Sequence, residues 1–354
     1  MQVDLIIHST LSFHGFKTKM IIKFTLLLLV GLAAASPITA DDDTILVTKE
    51  YFPDMLIKYK SKHDIVNIFL PMNYMNDIDD ESDVDNIQLP FFFIEADVHA
   101  NDKRVDKGLY IFKDNKATKL LENGRDVAAN DDTPTQVFFG ASDGIYVYKE
   151  DTKEAVKYGS VSDSIIGIAK PTYGDAIYIL TEEHELFNVT EAGTKKIKVN
   201  EVVGAKQIML DYSNNLYFYA EDKQPYVLTP EGVKKIEGLP AHPKSINLIR
   251  PPIVLTDGVP VVIDNAMYFI HESGSSEASG LVFKPKAKPT AYSMETVLFQ
   301  HYAYNKNIYE YNILALLETV LSGELKDLID ENTTNIQSLA TKTKEKKSSK
   351  RKHA

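Results

Sequence analysis

The sequence of 354 residues contains no cysteine and no tryptophan. Without cysteine there are no disulfide bonds, no thiolate metal sites and no thiol catalysis, so the fold depends on packing alone. A chain of this length buries a core large enough for that. Without tryptophan, any aromatic recognition must use the 19 tyrosines and 16 phenylalanines.

Positive charge is also in short supply. Lysine and arginine together number 39 against 50 aspartates and glutamates, which gives a formal net charge of −11. Proteins that bind nucleic acids need a basic surface to contact phosphate groups. We therefore expect no nucleic-acid partner, and we interpret the acidic balance as a contribution to solubility.

A short apolar run lies near the N-terminus, at residues 24–32. Three lysines precede it within residues 17–23, and the small residues Ala-Ala-Ala-Ser follow it. This order is typical of a secretory signal peptide, and the run is too short to cross a membrane. We expect a signal peptide over residues 1–35, with either Met1 or Met20 as the start.

Secretion sets expectations for the rest of the chain. We expect an extracellular protein with no membrane span, monomeric and free of cofactors. Asn188 and Asn332 each begin an N-x-T sequon and are candidate glycosylation sites in a secretory cell.

Similar alternating blocks recur along the chain, each centred on a tyrosine flanked by aliphatic or aromatic residues. The tyrosines are separated by 32 to 51 residues and are Tyr110, Tyr146, Tyr178, Tyr217 and Tyr268. Recurrence at this spacing is typical of propellers and solenoids. Aromatic residues at one matched position of stacked sheets usually fill the core between them, so we interpret these tyrosines as core.

Short strands and polar turns, without long amphipathic helices, separate the blocks. Four short antiparallel strands make a propeller blade, so we predict an all-β fold, a β-propeller with about six four-stranded blades. The predicted blades lie near residues 45–75, 86–123, 134–160, 164–198, 202–237 and 245–285. We expect residues 296–317 to close the ring by pairing with the first blade, which would cover the open edges.

Two segments fall outside this repeat. Residues 77–85 hold six carboxylates, but they lack the glycine and the final glutamate of a calcium loop, so a solvated acidic loop is the favoured interpretation. With the propeller at 36–318, residues 319–354 are predicted to form a short C-terminal helix and a disordered basic tail.

No catalytic constellation is evident. The sequence lacks the zinc motif HExxH and the phosphate loop GxxxxGK[ST], and we expect no serine-hydrolase elbow. The histidines are too scattered to indicate a metal site. His99 and His301 lie near acidic or phenolic residues, but ordinary surface or core roles are favoured for both.

Ligand-binding groups are expected in the loops that lead to the inner strands. The aromatic candidates there are Phe138, Phe139, Tyr173 and Tyr212, and the basic candidates for an acidic ligand are Arg125 and Arg250.

The chain resembles the insect ommochrome-binding proteins, which are hemolymph carriers. The resemblance lies in the block Phe138–Tyr148, in Ser164–Ile168 and in the blocks around Tyr178 and Tyr217, over roughly residues 45 to 285. It implies a secreted propeller that binds a tryptophan-derived phenoxazinone pigment. Such a ligand is planar and acidic, which suits tyrosine and phenylalanine faces beside an arginine or lysine.

Two alternatives remain open. Gluconolactonase-type hydrolases are also six-bladed propellers, and they hold a divalent cation in the channel; Asp211 and Asp264 would be the first ligands to consider. The other alternative is an extracellular interaction scaffold without a small-molecule site.

Overall fold

Short β-strands joined by tight turns make up nearly all of the described chain. The structure, a computed structural model, describes residues 44–78, 87–99, 104–130 and 134–315. The strands in these residues are β1 (Ile45–Val47), β2 (Ile57–Lys60), β3 (Asp64–Phe69), β4 (Phe91–Val98), β5 (Arg104–Lys113), β6 (Lys116–Leu121), β7 (Gly124–Ala129), β8 (Val137–Ala141), β9 (Gly144–Lys149), β10 (Glu154–Lys157), β11 (Ile165–Ala169), β12 (Ile177–Thr181), β13 (Glu185–Thr190), β14 (Lys195–Val203), β15 (Gln207–Leu210), β16 (Leu216–Tyr219), β17 (Pro225–Thr229), β18 (Gly232–Lys235), β19 (Ile246–Leu248), β20 (Gly258–Ile263), β21 (Ala266–His271), β22 (Ser276–Phe283), β23 (Ala291–Ser293), β24 (Phe299–Tyr304) and β25 (Asn307–Asn312).

The strands form six sheets, each built on four antiparallel strands, and the predicted six-bladed β-propeller is confirmed. Blade 1 is β3–β6, blade 2 is β7–β10, blade 3 is β11–β14 and blade 4 is β15–β18. Blade 5 is β19–β22 with β1 added, and blade 6 is β23–β25 with β2 added.

Within the described residues, helical structure is limited to short pieces. Short 3-10 helices occur at Lys49–Tyr51, Asp54–Leu56, Met72–Asp77 and Pro285–Ala287, and residues 313–315 are α-helical where the described chain ends. None of the helices in the described part of the chain is long and apolar enough to span a bilayer.

The first strand of each blade is its innermost. Contacts run between consecutive inner strands from β23 through β3, β7, β11 and β15 to β19, so the six inner strands surround a central channel. Apolar side chains from facing sheets fill the space between blades. Phe92 of blade 1, for example, lies 5.4 Å from both Phe139 and Tyr148 of blade 2 between ring centroids. Burying each such ring contributes roughly 2 to 3 kcal/mol.

The blade boundaries differ from the prediction at the N-terminus. Residues 45–75 do not form a blade. Instead β1 pairs in parallel with β22 of blade 5, β2 is the outer strand of blade 6, and β3 is the inner strand of blade 1. Each strand alone is short and alternating, so the sequence pattern does not reveal that three consecutive strands belong to three different sheets.

The ring is closed by two distant parts of the chain. The 45–75 segment is not a blade, but the pairing expected between it and residues 296–317 does occur. Those residues supply β24 and β25 of their own blade, and β2 completes that blade by pairing with β25. Such closure removes an unpaired edge that would otherwise invite association with other chains.

Polar contacts hold β2, the strand that closes the ring, on both of its sides. The ammonium group of Lys58 lies 2.8 Å from Oε1 of Glu310, and Oε2 of Glu310 lies 2.9 Å from Nε2 of His301, which is fully buried. These neighbours lower the pKa of Glu310 to about 2 against the opposing effect of burial. On the other side, the Tyr59 hydroxyl donates to the buried Glu95 of blade 1 at 3.0 Å.

The repeated tyrosines do not share one position. Tyr178 and Tyr217 lie on the second strand of their blades, whereas Tyr110, Tyr146 and Tyr268 lie on the third. Two of the third-strand blocks begin with a glycine at positive φ, 134° at Gly108 and 129° at Gly144. A Cβ at Gly144 would lie 2.1 Å from the Val161 carbonyl oxygen, so glycine is required there. The prediction of core burial is confirmed at Tyr217, which has no exposed surface, whereas Tyr110, Tyr146, Tyr178 and Tyr268 are only half-buried.

Several predicted segments lie outside the described residues. These are the signal peptide at 1–35, most of the acidic loop at 77–85, the sequon at Asn332 and the helix and basic tail at 319–354.

Candidate functional site

All six inner strands end at one small cavity. Its lining includes residues at or just after the C-terminal end of every inner strand: Phe69, Ala128, Ala129, Ile168, Ala169, Met209, Leu210, Arg250 and Glu295. The cavity measures about 90 Å³. Pockets for drug-sized ligands measure about 300 to 1,000 Å³, so this cavity has room for a small head group but not for several fused rings.

The lining divides into an apolar wall and a few polar groups. The wall comes mainly from the inner strands and includes Phe69, Ile168 and Met209. The polar lining residues are Lys170, Thr172, Asp211, Tyr212, Arg250 and Glu295. A small apolar pocket with a few convergent polar groups is the usual form of a ligand site.

Arg250 crosses the channel from blade 5 to blades 1 and 2. Its guanidinium donates to Oδ1 of Asn67 and to Oδ1 of Asp126, each at 3.3 Å, and to the carbonyl oxygen of Val127. It also lies 4.7 Å from the ring centroid of Phe69. The bridge joins blades on opposite sides of the ring and lies deeper in the channel than the strand ends.

β-Bulges aim two of these partners at Arg250. The pairing registers shift just before Asn67 in β3 and just before Asp126 in β7, and such bulges redirect side chains. The amide of Asn67 donates to Asp126 at 2.6 Å, and the second oxygen of Asp126 accepts from the backbone N–H of Ile168 at 2.8 Å. Arg250 is therefore held rigidly before any ligand arrives.

Glu295 is the most unusual lining residue. It follows β23 by two residues, and only 4% of its surface is exposed. Oε2 accepts from the Ser293 hydroxyl at 2.9 Å, whereas Oε1 is buried without a hydrogen-bond partner. Burial raises the pKa of Glu295 to about 7, although the positive charge of Arg250 and nearby hydrogen bonds favour the ionised form.

Asp211 is the second buried acid of the lining, and the structure satisfies it locally. Its carboxylate accepts from the backbone N–H and the side-chain amide of Asn215 and from the Tyr217 hydroxyl, at 2.8 to 3.1 Å. Burial raises the pKa of Asp211 while these hydrogen bonds act in the opposite direction. Asp211 thus holds the loop between β15 and β16 in place through these hydrogen bonds.

The partly exposed rim carries two of the predicted aromatic candidates. Tyr212 lines the cavity, and its hydroxyl donates to the carbonyl oxygen of Pro251 at 3.2 Å. Tyr173 follows the lining residue Thr172 and is 74% exposed. Lys170 donates to the carbonyl oxygen of Gly174 at 2.6 Å, which fixes the loop that carries Tyr173.

Of the six predicted ligand-binding residues, the structure brings Tyr212 and Arg250 together at the cavity and leaves Tyr173 beside it. Phe138 and Phe139 are buried in β8 between blades, away from the cavity. Arg125 is the second residue of β7, at the opposite end of that strand from the cavity, and it binds Asp106 at 2.7 Å and Glu182 at 3.3 Å.

The remaining predicted positions lie elsewhere on the propeller. Asn188 is paired within β13, and its side-chain oxygen is buried. His99 is exposed beyond β4, and His301 belongs to the closure of the ring.

The residues considered for a hydrolase lie apart from one another, since Asp211 lines the cavity and Asp264 does not. Within residues 44–78, 87–99, 104–130 and 134–315, no group of three or more His, Asp or Glu side chains is placed to hold a metal ion. Asp264 caps the backbone N–H groups of Lys244 and Ser245 outside the cavity. The sequence Gly140–Gly144 does match G-x-S-x-G, but it forms the β8–β9 hairpin rather than a strand-to-helix elbow.

Glu295 was missed because the repeat was aligned on its tyrosines. If the blades are aligned on their inner strands, the first charged residue after β11, β15, β19 and β23 is Lys170, Asp211, Arg250 and Glu295. That alignment would have placed all four at one end of the channel.

Comparisons with known proteins give no family for the chain, since no family model and no curated protein matches it. Solved structures match at low identity. PorZ, a surface component of the type-IX secretion system of Porphyromonas gingivalis, matches at 10% identity and a TM-score of 0.43 over 72% of this chain and 37% of PorZ. Hydrazine synthase of Kuenenia stuttgartiensis matches at 12% identity and a TM-score of 0.47 over 77% of this chain and 84% of that one.

The extracellular domain of a putative one-component system from B. thetaiotaomicron matches at 9% identity and a TM-score of 0.46, over 74% of this chain and 42% of that one. This chain thus spans less than half of PorZ and of the B. thetaiotaomicron chain. At these scores the three structures support no functional assignment.

Proposed function

We propose that the chain is a secreted, non-catalytic binding protein that holds a small aromatic acid at the cavity where the inner strands end. One observation carries the proposal: all six blades contribute to a single cavity that combines an apolar wall with the preorganised cation Arg250. Preorganised groups lower the entropic cost of binding, so they favour a specific ligand.

The ligand class follows from the size and chemistry of the cavity. A volume of about 90 Å³ admits an acidic head group but not a three-ring phenoxazinone. In our proposal the head group enters the cavity, and the flat rings lie over the rim against Tyr212 and the exposed Tyr173. This arrangement suits the ommochrome pigment implied by the resemblance, or a smaller aromatic precursor of it.

The experiment is a titration of purified residues 36–354 with a phenoxazinone dicarboxylate, followed by absorbance and calorimetry. We expect one binding site and a spectral shift of the pigment. A protein that leaves both the spectrum and the heat unchanged contradicts the proposal.

A matched pair of variants locates the site. Ala129→Met narrows the cavity from its edge and is expected to weaken binding at least tenfold. Ala155→Met adds the same side chain on β10, an outer strand of the same blade that does not line the cavity, and is expected to bind like the wild type. Equal binding by the two variants would place the ligand elsewhere.

Secretion is part of the proposal and rests on residues 1–35. Expression of the full sequence in a secretory cell is expected to release a monomer into the medium, beginning after Ala35. Retention of the protein in the cytoplasm would contradict this part alone.

A further inference from the structure

Oε1 of Glu295 is a buried hydrogen-bond acceptor without a donor. Leaving such a group unsatisfied is unfavourable, and native structures rarely do so without a functional reason. Glu295 lines the cavity, and its other oxygen is already held by Ser293, so the side chain is fixed in place. A donor that enters the cavity beside Glu295 would satisfy this oxygen.

Four other ionisable residues line the cavity with Glu295. They are the basic Arg250 and Lys170, the acidic Asp211 and the phenolic Tyr212, and Asp126 pairs with Arg250. Asp211 is satisfied by Asn215 and Tyr217, and Asp126 is satisfied by Arg250, Asn67 and backbone N–H groups. Glu295 is thus the one acid of this set with an unused oxygen.

We propose that the cavity recognises an aromatic α-amino acid, with the ligand's ammonium group on Oε1 of Glu295 and its carboxylate on the side of Arg250 and Lys170. This inference rests on the proposed function and narrows its ligand class from an aromatic acid to an aromatic amino acid.

Several features favour a zwitterion over a simple acid. A simple acid would bring a second carboxylate towards Glu295 and leave Oε1 without a donor. An ammonium group supplies that donor, and a charge-assisted hydrogen bond is among the stronger polar contacts. The cavity volume of about 90 Å³ suits the head group of an amino acid. The aromatic side chain of that amino acid then lies outside the cavity, over Tyr212.

Binding of this kind is linked to protons. An ammonium group binds the ionised form of Glu295, so a neutral Glu295 must lose its proton when the ligand binds. Because the pKa of Glu295 is raised to about 7, affinity is expected to rise roughly tenfold between pH 6 and pH 8. Calorimetry in buffers of different ionisation enthalpy would detect the released proton directly.

Three related compounds test the proposal. Kynurenine carries both the α-ammonium and the carboxylate, kynuramine lacks the carboxylate, and 4-(2-aminophenyl)-4-oxobutanoate lacks the α-ammonium. At pH 8 we expect wild-type protein to bind kynurenine at least tenfold more tightly than either analogue. A phenoxazinone dicarboxylate without an amino-acid side chain serves as the reference ligand for the proposed function.

The decisive variant is Glu295→Gln, and Glu150→Gln on the exposed surface is its matched control. Glu295→Gln is expected to bind kynurenine and the analogue without the α-ammonium equally well, and to show no pH dependence between pH 6 and pH 8. The control is expected to keep both the preference and the pH dependence. Folding of the variants is checked by circular dichroism before titration.

The possible outcomes separate the two claims. If wild-type protein binds the analogue without the α-ammonium as tightly as kynurenine, or if Glu295→Gln keeps the full preference, the amino-acid inference is wrong while the proposed function stands. If neither kynurenine nor the reference ligand binds, the proposed function fails, and this inference fails with it.

Discussion

The buried carboxyl group of Glu295 should make the stability of the whole propeller depend on pH in an unusual direction. The perturbation is Glu295→Gln, which keeps the size of the side chain and removes its charge. The amide oxygen of glutamine can still accept from the Ser293 hydroxyl, which now binds Oε2 at 2.9 Å. The variant therefore isolates the cost of ionising a buried acid.

The magnitude follows from the pKa of Glu295, which is about 7 in the folded protein against an ordinary value of 4.5 for a glutamate. A difference of one pKa unit corresponds to about 1.4 kcal/mol, so the full effect is about 3 kcal/mol. Because the folded-state pKa is raised, the penalty is absent below pH 4.5 and complete above pH 7. Glu295→Gln should thus exceed the wild type in unfolding free energy by about 3 kcal/mol at pH 8.5 and match it near pH 4.

The assay is urea unfolding monitored by circular dichroism at several pH values between 4 and 8.5, without ligand. The control is Glu150→Gln, a change at an exposed acid that should follow the wild type throughout. A stability difference between Glu295→Gln and the wild type that stays constant with pH would refute the reasoning, as would a loss of stability at pH 8.5.

Three further predictions concern the ring itself. Glu310→Gln removes the carboxylate that pairs with Lys58 and His301, so it should lower the unfolding free energy at pH 7 by about 3 kcal/mol. Because the pKa of Glu310 is lowered to about 2, the stability difference from the wild type should shrink as the pH falls from 4.5 towards 2 in acid titrations. Phe139→Ala should lower the free energy of unfolding in urea by about 3 to 5 kcal/mol and leave ligand affinity unchanged. A loss of affinity without a loss of stability would show that Phe139 belongs to the binding site. Deletion of residues 44–62 removes β1 and β2, so light scattering should report association through the uncovered edge of β25, and a monomeric product that unfolds cooperatively would contradict the closure.

The sequence predicted the architecture because the blade is a local unit. The alternating pattern of strands such as Leu216–Tyr219, and the polar turns around them, depend on residues close in sequence within a single sheet. They can therefore be recognised from the sequence alone. The number of blades and the absence of long helices followed from this repetition. The pairing between residues 45–75 and 296–317 was expected, but the parallel pairing of β1 with β22 was not, since it joins segments more than 200 residues apart and depends on the closed ring.

The residues of the candidate site were harder to predict from the sequence for a similar reason. The tyrosine blocks lie on the third strand in three blades and on the second strand in two. An alignment of the blades on these tyrosines therefore misplaces the loops that lead to the inner strands. Phe138 and Phe139 were therefore assigned to a loop at the channel, although they lie on a buried strand. Arg250 and Tyr212 were expected in loops near the channel, and both do line the cavity, because each lies two residues after an inner strand.

The pairing of β2 with β25 also has a consequence for the order in which the chain is made. Lys58 and Glu310 are separated by 252 residues, so the outer strand of blade 6 leaves the ribosome long before its partner exists. Bringing such distant segments together carries a loop-closure entropy that grows with their separation, and folds rich in distant contacts form slowly. Until then the strand lacks the partner that it pairs with in the folded protein. We therefore expect ring closure to be a late step of folding, and it completes the cavity to which blade 6 contributes Glu295.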